Sequence, residues 1–130
     1  MAETILRAVG VTVWINEERH MDTVTALSGS GPAYFFLFME AMELTGQELG
    51  LDAETTRLLT LQTAFGATKL ALETSEDCAT LRQRVTSPGG TTEQALRIFD
   101  EGNLRQLVKQ AISAAAKRSE ELAQQLGEEN

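Results

Sequence analysis

Ala33-Tyr34-Phe35-Phe36-Leu37-Phe38-Met39 is apolar at every position. A helix turns once every 3.6 residues, so a run of this kind points apolar side chains in every direction and must be surrounded by other elements. The continuation to Leu44 carries Glu40 and Glu43, and the stretch stops well short of the ~20 apolar residues that a membrane span requires. Burying one Phe or Leu contributes about 1.5–3 kcal/mol, and leaving several in water invites aggregation. Four or five helices drawn from 130 residues have little material to enclose such a segment. A second copy of the chain is the simplest cover, and the expectation is an obligate homodimer with a helical interface. A monomeric bundle with a phenylalanine-rich core stays open on composition alone.

Working outward, the pattern is helical from Met21 onward. Met21–Leu27 leads into Ser28-Gly29-Ser30-Gly31-Pro32. That segment either starts a fresh helix with Pro32 at its first position or kinks one long helix. Gly50 closes Ala33–Leu49 as a C-terminal cap, and Asp52 is a good N-cap for Ala53–Leu72. In that helix Leu58, Leu61, Phe65, Thr68 and Leu72 keep a helical period, while Ala64, Gly66, Ala67 and Ala71 are small enough for close approach of a neighbour. Ser75 is the expected cap of a short helix through Leu81 to Val85, and Thr86–Gly90 breaks it. Thr91 or Thr92 starts the next helix, which ends at Gly102. A last helix runs from about Asn103 to Leu126 with Lys117 and Glu121 spaced for an i,i+4 pair, and Gly127 with the acidic end is expected to fray.

The first twenty residues differ from the rest. Glu3–Val9 suits one or two helical turns, and Val11-Thr12-Val13-Trp14-Ile15 is β-prone. A lone strand cannot satisfy its own backbone, and the remainder of the chain offers no sheet to receive it. The expected fold is therefore all-α: a helical bundle interlocking with a second copy, with a short orphan β-strand near the N-terminus. Residues 1–20 read as the tail of a missing domain and residues 21–130 as the helical domain.

The formal net charge is −8, which argues against nucleic acid, since counterion displacement needs a basic face, and against an anionic membrane surface. Met1-Ala2-Glu3-Thr4 lacks the basic start of a secretory signal, and Cys78 is the only cysteine, so the expected compartment is the cytoplasm. One His and one Cys cannot build a zinc site or a credible nucleophile-and-base set, and no metal is expected. Ser28-Gly29-Ser30-Gly31-Pro32 follows a helical run rather than a strand, does not match G-x-G-x-x-G and has no following lysine, so it is not a nucleotide loop.

Thr86-Ser87-Pro88-Gly89-Gly90-Thr91-Thr92-Glu93-Gln94 carries the chemistry. Pro88 presses Ser87 into an extended conformation, and Gly89 and Gly90 let the backbone turn sharply and a ligand come close. The following helix leaves its first N–H groups unpaired at its positive end, which makes an anion site for a phosphate or a carboxylate. The hydroxyls of Ser87, Thr91 and Thr92 are further donors. The alternative is a plain turn with Thr91 and Gln94 as a capping box. Glu73, Glu76 and Asp77 precede the turn and read first as the solvated start of a helix.

Thr25-Ala26-Leu27-Ser28-Gly29-Ser30-Gly31-Pro32-Ala33-Tyr34 and Val85-Thr86-Ser87-Pro88-Gly89-Gly90-Thr91-Thr92 resemble the two signature segments of the pyrroline-5-carboxylate reductase C-terminal domain. Gly50-Leu51, Gly66-Ala67-Thr68-Lys69 and Glu101-Gly102-Asn103-Leu104-Arg105 are similar to further family segments at matching spacing. The resemblance implies an oxidoreductase that reduces 1-pyrroline-5-carboxylate to L-proline with NADPH or NADH. It also implies a Rossmann-type domain, of which residues 1–20 would be the end and Val11–Ile15 the last strand, and homodimers that assemble further in some members. It places the substrate carboxylate on Ser87, Gly89, Gly90, Thr91 and Thr92, with Thr92 beside the ring nitrogen as the catalytic candidate. No cofactor is expected on this chain, because the dinucleotide loop is absent, and these residues alone are expected to be inactive. Asp77-Cys78 stands where family members often have His-Pro, a local departure from the family pattern next to Glu76.

Overall fold

A computed structural model describes residues 2–8 and 10–128. It falls into two compact units, one made of the residues up to Ser30 with those from Ala111 onward, the other of Gly31–Gln110.

In the first unit α1 spans Ala2–Arg7, where Arg7 Nε donates to Glu3 Oε1 at 2.8 Å. This agrees with the expected short helix, apart from Val9, which lies outside the described residues. Val11–Ile15 does not form the expected strand. A strand exists through hydrogen bonds to a neighbour, and no described segment offers it an edge. Val11 is accordingly 95% exposed and Trp14 74%. A 3₁₀ turn at Glu18–His20 then leads into α2 (Met21–Val24), and Ser119 Oγ donates to Asp22 Oδ1 at 2.7 Å, tying the C-terminal part of the chain to this helix.

The Ser28–Pro32 segment resolves its two readings by widening. Thr25–Gly29 is a π-helical turn, the Ser30 N–H donates to Thr25 O at 2.8 Å, and Ser30 itself keeps helical angles (φ −85°, ψ −21°). α3 (Gly31–Glu48) then begins with Pro32 as its second residue. Pro32 has no N–H to donate, so the ladder must change register here, and a single π turn absorbs the change.

In the second unit α3 ends as expected at Gly50. Its φ of +104° is a left-handed value that glycine adopts without strain. The Leu51 N–H donates to Gly46 O at 3.1 Å and the Gly50 N–H to Gln47 O at 3.0 Å, the bond pair of a Schellman cap. Asp52 caps α4 (Ala53–Glu73) by accepting from the Thr55 N–H at 2.9 Å. The face of α4 turned to α3 is not the periodic apolar one. Thr56 and Thr60 are buried, whereas Leu58, Phe65 and Leu72 are exposed. A Cβ placed on Gly46 would lie 2.6 Å from Thr56 Cγ2, so the two helices touch at a glycine. Thr56 cannot easily turn away, because its hydroxyl donates to Asp52 O at 2.7 Å. Gly46→Val should therefore destabilise this helical pair by about 1–3 kcal/mol, despite the gain in helix propensity over glycine. Urea unfolding checks this, and an unchanged midpoint would show that the helices separate at no cost.

α5 spans Cys78–Arg84, and its cap is Asp77 rather than Ser75: Asp77 Oδ1 accepts from the Thr80 N–H at 2.7 Å. α6 spans Thr91–Glu101 and α7 Leu104–Glu128. The left-handed residue between them is Asn103 (φ +55°), not Gly102, since asparagine tolerates that region. Gly127 is inside α7, and Glu129 and Asn130 lie outside the described residues. Glu121 pairs with Arg118 at 3.0 Å, three residues away; among the described residues no pair to Lys117 forms. No helix among them is long and apolar enough to cross a membrane.

The hydrogen bonds from the hydroxyl and N–H of Thr55 hold the Asp52 carboxyl below the usual carboxylate range, and those from the N–H and hydroxyl of Thr80 do the same for Asp77. A carboxyl depressed in the folded state adds stability that is complete above its ordinary value, near ~3.9, and fades as pH falls through the folded value. Thermal melts by circular dichroism should thus lose stability below about pH 4. The double change Asp52→Asn and Asp77→Asn should flatten that loss, because asparagine caps without titrating. An acid limb of the same depth in that variant would mean the caps do not contribute.

Among the described residues Ala26 is the only buried hydrophobic side chain. Phe35, Phe36 and Leu37 are 68%, 66% and 68% exposed. A single chain does not enclose α3. Ala33, Phe36, Leu37, Met39 and Leu61 line an open trough of about 510 Å³ between α3 and α4.

Candidate functional site

α5 delivers the chain into the turn. The Thr86 hydroxyl donates to Arg82 O at 2.6 Å and its N–H to Gln83 O at 3.1 Å, anchoring the turn to the last residues of the helix. Glu76, half-buried, pairs with Arg84 at 2.5 Å, Glu73 pairs with Lys69 at 3.8 Å, and Asp77 is the α5 cap. The acidic cluster is thus occupied in holding α4 and α5. Among the described residues no group of His, Cys, Asp or Glu is arranged to hold a metal.

Ser87, Pro88, Gly89 and Gly90 form a tight turn in which the Gly90 N–H donates to Ser87 O at 3.0 Å. Gly89 takes a φ of +72°. Proline second and a left-handed glycine third is the type II pattern. Gly90 is then the N-cap of α6 and has no side-chain bond. Thr91 is the first helical residue, so the expected capping box of Thr91 with Gln94 is not made. The Gly89 N–H instead donates to Glu93 Oε2 at 2.7 Å. The sequence reading missed Glu93, although acid at the third helical position is a recognised signal.

The amides now divide. Those of Gly89 and Gly90 are used inside the turn. The Gln94 N–H donates to Gly90 O at 3.3 Å and is the first that α6 pairs internally. The N–H groups of Thr91, Thr92 and Glu93 precede it and have no acceptor within the helix. Ser87 and Thr91 are exposed and Thr92 is half-buried. All five expected residues therefore come together in one turn, as two shaping glycines and a set of donors at the positive end of an eleven-residue helix. Such an end attracts one compact anion.

Residues 18–122 match the family described as pyrroline-5-carboxylate reductase dimerisation. The chain belongs to that family. It is 54% identical over 127 residues to the pyrroline-5-carboxylate reductase of Pseudomonas aeruginosa, covering 98% of this chain and 46% of that protein. It is 44% identical to pyrroline-5-carboxylate reductase 2 of Bacillus subtilis, covering 95% and 44%. A solved pyrroline-5-carboxylate reductase from Coxiella burnetii superposes with a TM-score of 0.90 at 53% identity, covering 93% of this chain and 45% of that one. A Plasmodium falciparum pyrroline carboxylate reductase solved with NADP bound superposes with a TM-score of 0.83 at 32% identity, covering 91% and 46%. The chain thus spans about half the length of the pyrroline-5-carboxylate reductases it matches and corresponds to their C-terminal region. Ser28-Gly29-Ser30-Gly31 lies in helical backbone, with no strand before it among the described residues.

Proposed function

We propose that this chain is the subunit-pairing and substrate-carboxylate half of a cytoplasmic reductase that converts 1-pyrroline-5-carboxylate to L-proline with NADPH or NADH. The observation that carries this reading is the match of residues 18–122 to the reductase dimerisation family. The exposed apolar surface of α3 supports pairing with a second copy, and pairs are free to assemble further. The substrate carboxylate sits on the N–H groups of Thr91 and Thr92 beside the Ser87 hydroxyl. Gly89 and Gly90 shape that seat. Thr92 follows as the catalytic candidate, its hydroxyl placed to hydrogen-bond the ring nitrogen. The nicotinamide supplies the hydride in the whole reductase, and these residues offer it no cradle, so by themselves they turn over no substrate. Residues 1–20 then belong to the junction with a Rossmann-type domain.

Light scattering of the purified chain over a range of concentrations tests the pairing. The expected mass is twice 14.2 kDa or a multiple of that. A stable monomer would remove the pairing role. The rival reading, a stand-alone helical dimerisation module without catalysis, draws on the internal bonds of Gly89 and Gly90, which occupy those two amides. Titration with L-proline separates the two.

A further inference from the structure

We propose that the charge of Glu93 limits how tightly the Ser87–Thr92 turn holds a carboxylate, an inference that rests on the reading of this turn as the substrate-carboxylate site. Glu93 is the third residue of α6, and its side chain folds back so that Oε2 accepts from the Gly89 N–H at 2.7 Å. A carboxylate that belongs to the chain is therefore already doing what an incoming carboxylate would do. It takes an amide proton of the turn and places negative charge at the positive end of the helix. Two consequences follow for a ligand. The Gly89 amide is engaged, which leaves the N–H groups of Thr91 and Thr92 as its seat. The ligand's charge also arrives within one helical turn of another negative charge, with which no cation among the described residues pairs. Like charges at this separation near a protein surface repel appreciably.

The hydrogen bond and the charge are separable. Glu93→Gln keeps an acceptor oxygen for the Gly89 amide and removes the charge. If Glu93 served only to cap the turn, this change would leave carboxylate binding as it was. If its charge opposes the ligand, the variant binds more tightly, and the difference depends on salt.

The test is an NMR titration of the isotope-labelled full chain with L-proline, followed at the Gly89, Thr91 and Thr92 amides, for the unaltered chain and for Glu93→Gln. The expected result is about five-fold tighter binding by the variant at low ionic strength. At 1 M salt, where the screening length falls to about 3 Å, the two affinities should converge. A Gly90 amide as protected from hydrogen exchange in the variant as in the unaltered chain shows that the turn is intact, since that N–H closes the turn on Ser87 O. Equal affinities at low salt, or weaker binding by the variant, would overturn the role of Glu93 and leave the carboxylate site standing. No response of the Thr91 and Thr92 amides to L-proline in either protein would overturn both.

Discussion

Phe36→Asp should convert the proposed pair of chains into monomers. Phe36 is 66% exposed on one chain and stands at the apolar trough with Leu37 and Leu61. In a pair of chains such a side chain is a buried anchor, and truncating an anchor of this kind typically costs about 2–4 kcal/mol. An aspartate adds the penalty of a charge that must be buried without a partner. The dissociation constant should rise by at least about 100-fold, read by light scattering or sedimentation across a dilution series. The single chain buries only Ala26 among its described apolar residues, so helicity should fall together with the mass. A variant that keeps the mass of the parent would place the contact elsewhere than on this face of α3.

Gly90→Val should remove carboxylate binding while leaving pairing intact. A Cβ at position 90 would meet the Ser87 carbonyl oxygen at 3.0 Å and the Ser87 Cβ at 3.5 Å. That carbonyl cannot simply move aside, since it accepts the Gly90 N–H that closes the turn. Valine brings two further carbons beyond the Cβ, so the turn must open and the first N–H groups of α6 lose their common aim. A displacement of about 1 Å in a positioning element is enough to cost ~100-fold in rate. In an intact reductase carrying this chain, kcat/KM should fall by about that factor or more. Normal kinetics in that variant would mean that the turn before α6 is not the carboxylate seat.

Much of the helical architecture was legible from residues 21–126 because its signals are local. Gly50 and Asp52 act through backbone groups no more than four positions away, and both sit where their residue types require. The turn at Ser87–Gly90 was equally open to reading, since proline and glycine restrict or free the backbone at their own positions. The bonds within the turn were less so. Gly89 has an N–H that could meet a ligand, water or a side chain, and only the folded backbone shows that Glu93 reaches it. Ser75 was the cap expected for α5, and the path of the loop put Asp77 there instead by bringing its carboxylate to the Thr80 N–H.

By itself the sequence determined that the protein is helical, where its principal helices begin and end, that α3 needs a cover, and that Thr91 and Thr92 open a helix behind a glycine turn. Each of these follows from periodicity, capping or backbone freedom, which act over a few residues. Tertiary structure alone decided that α4 meets α3 through Thr56 and Thr60 rather than through Leu58 and Phe65, because a close crossing at Gly46 admits small side chains and rejects large ones. It also decided that Val11–Ile15 is no strand here, since a strand is a property of the partner it bonds to and not of its own residues.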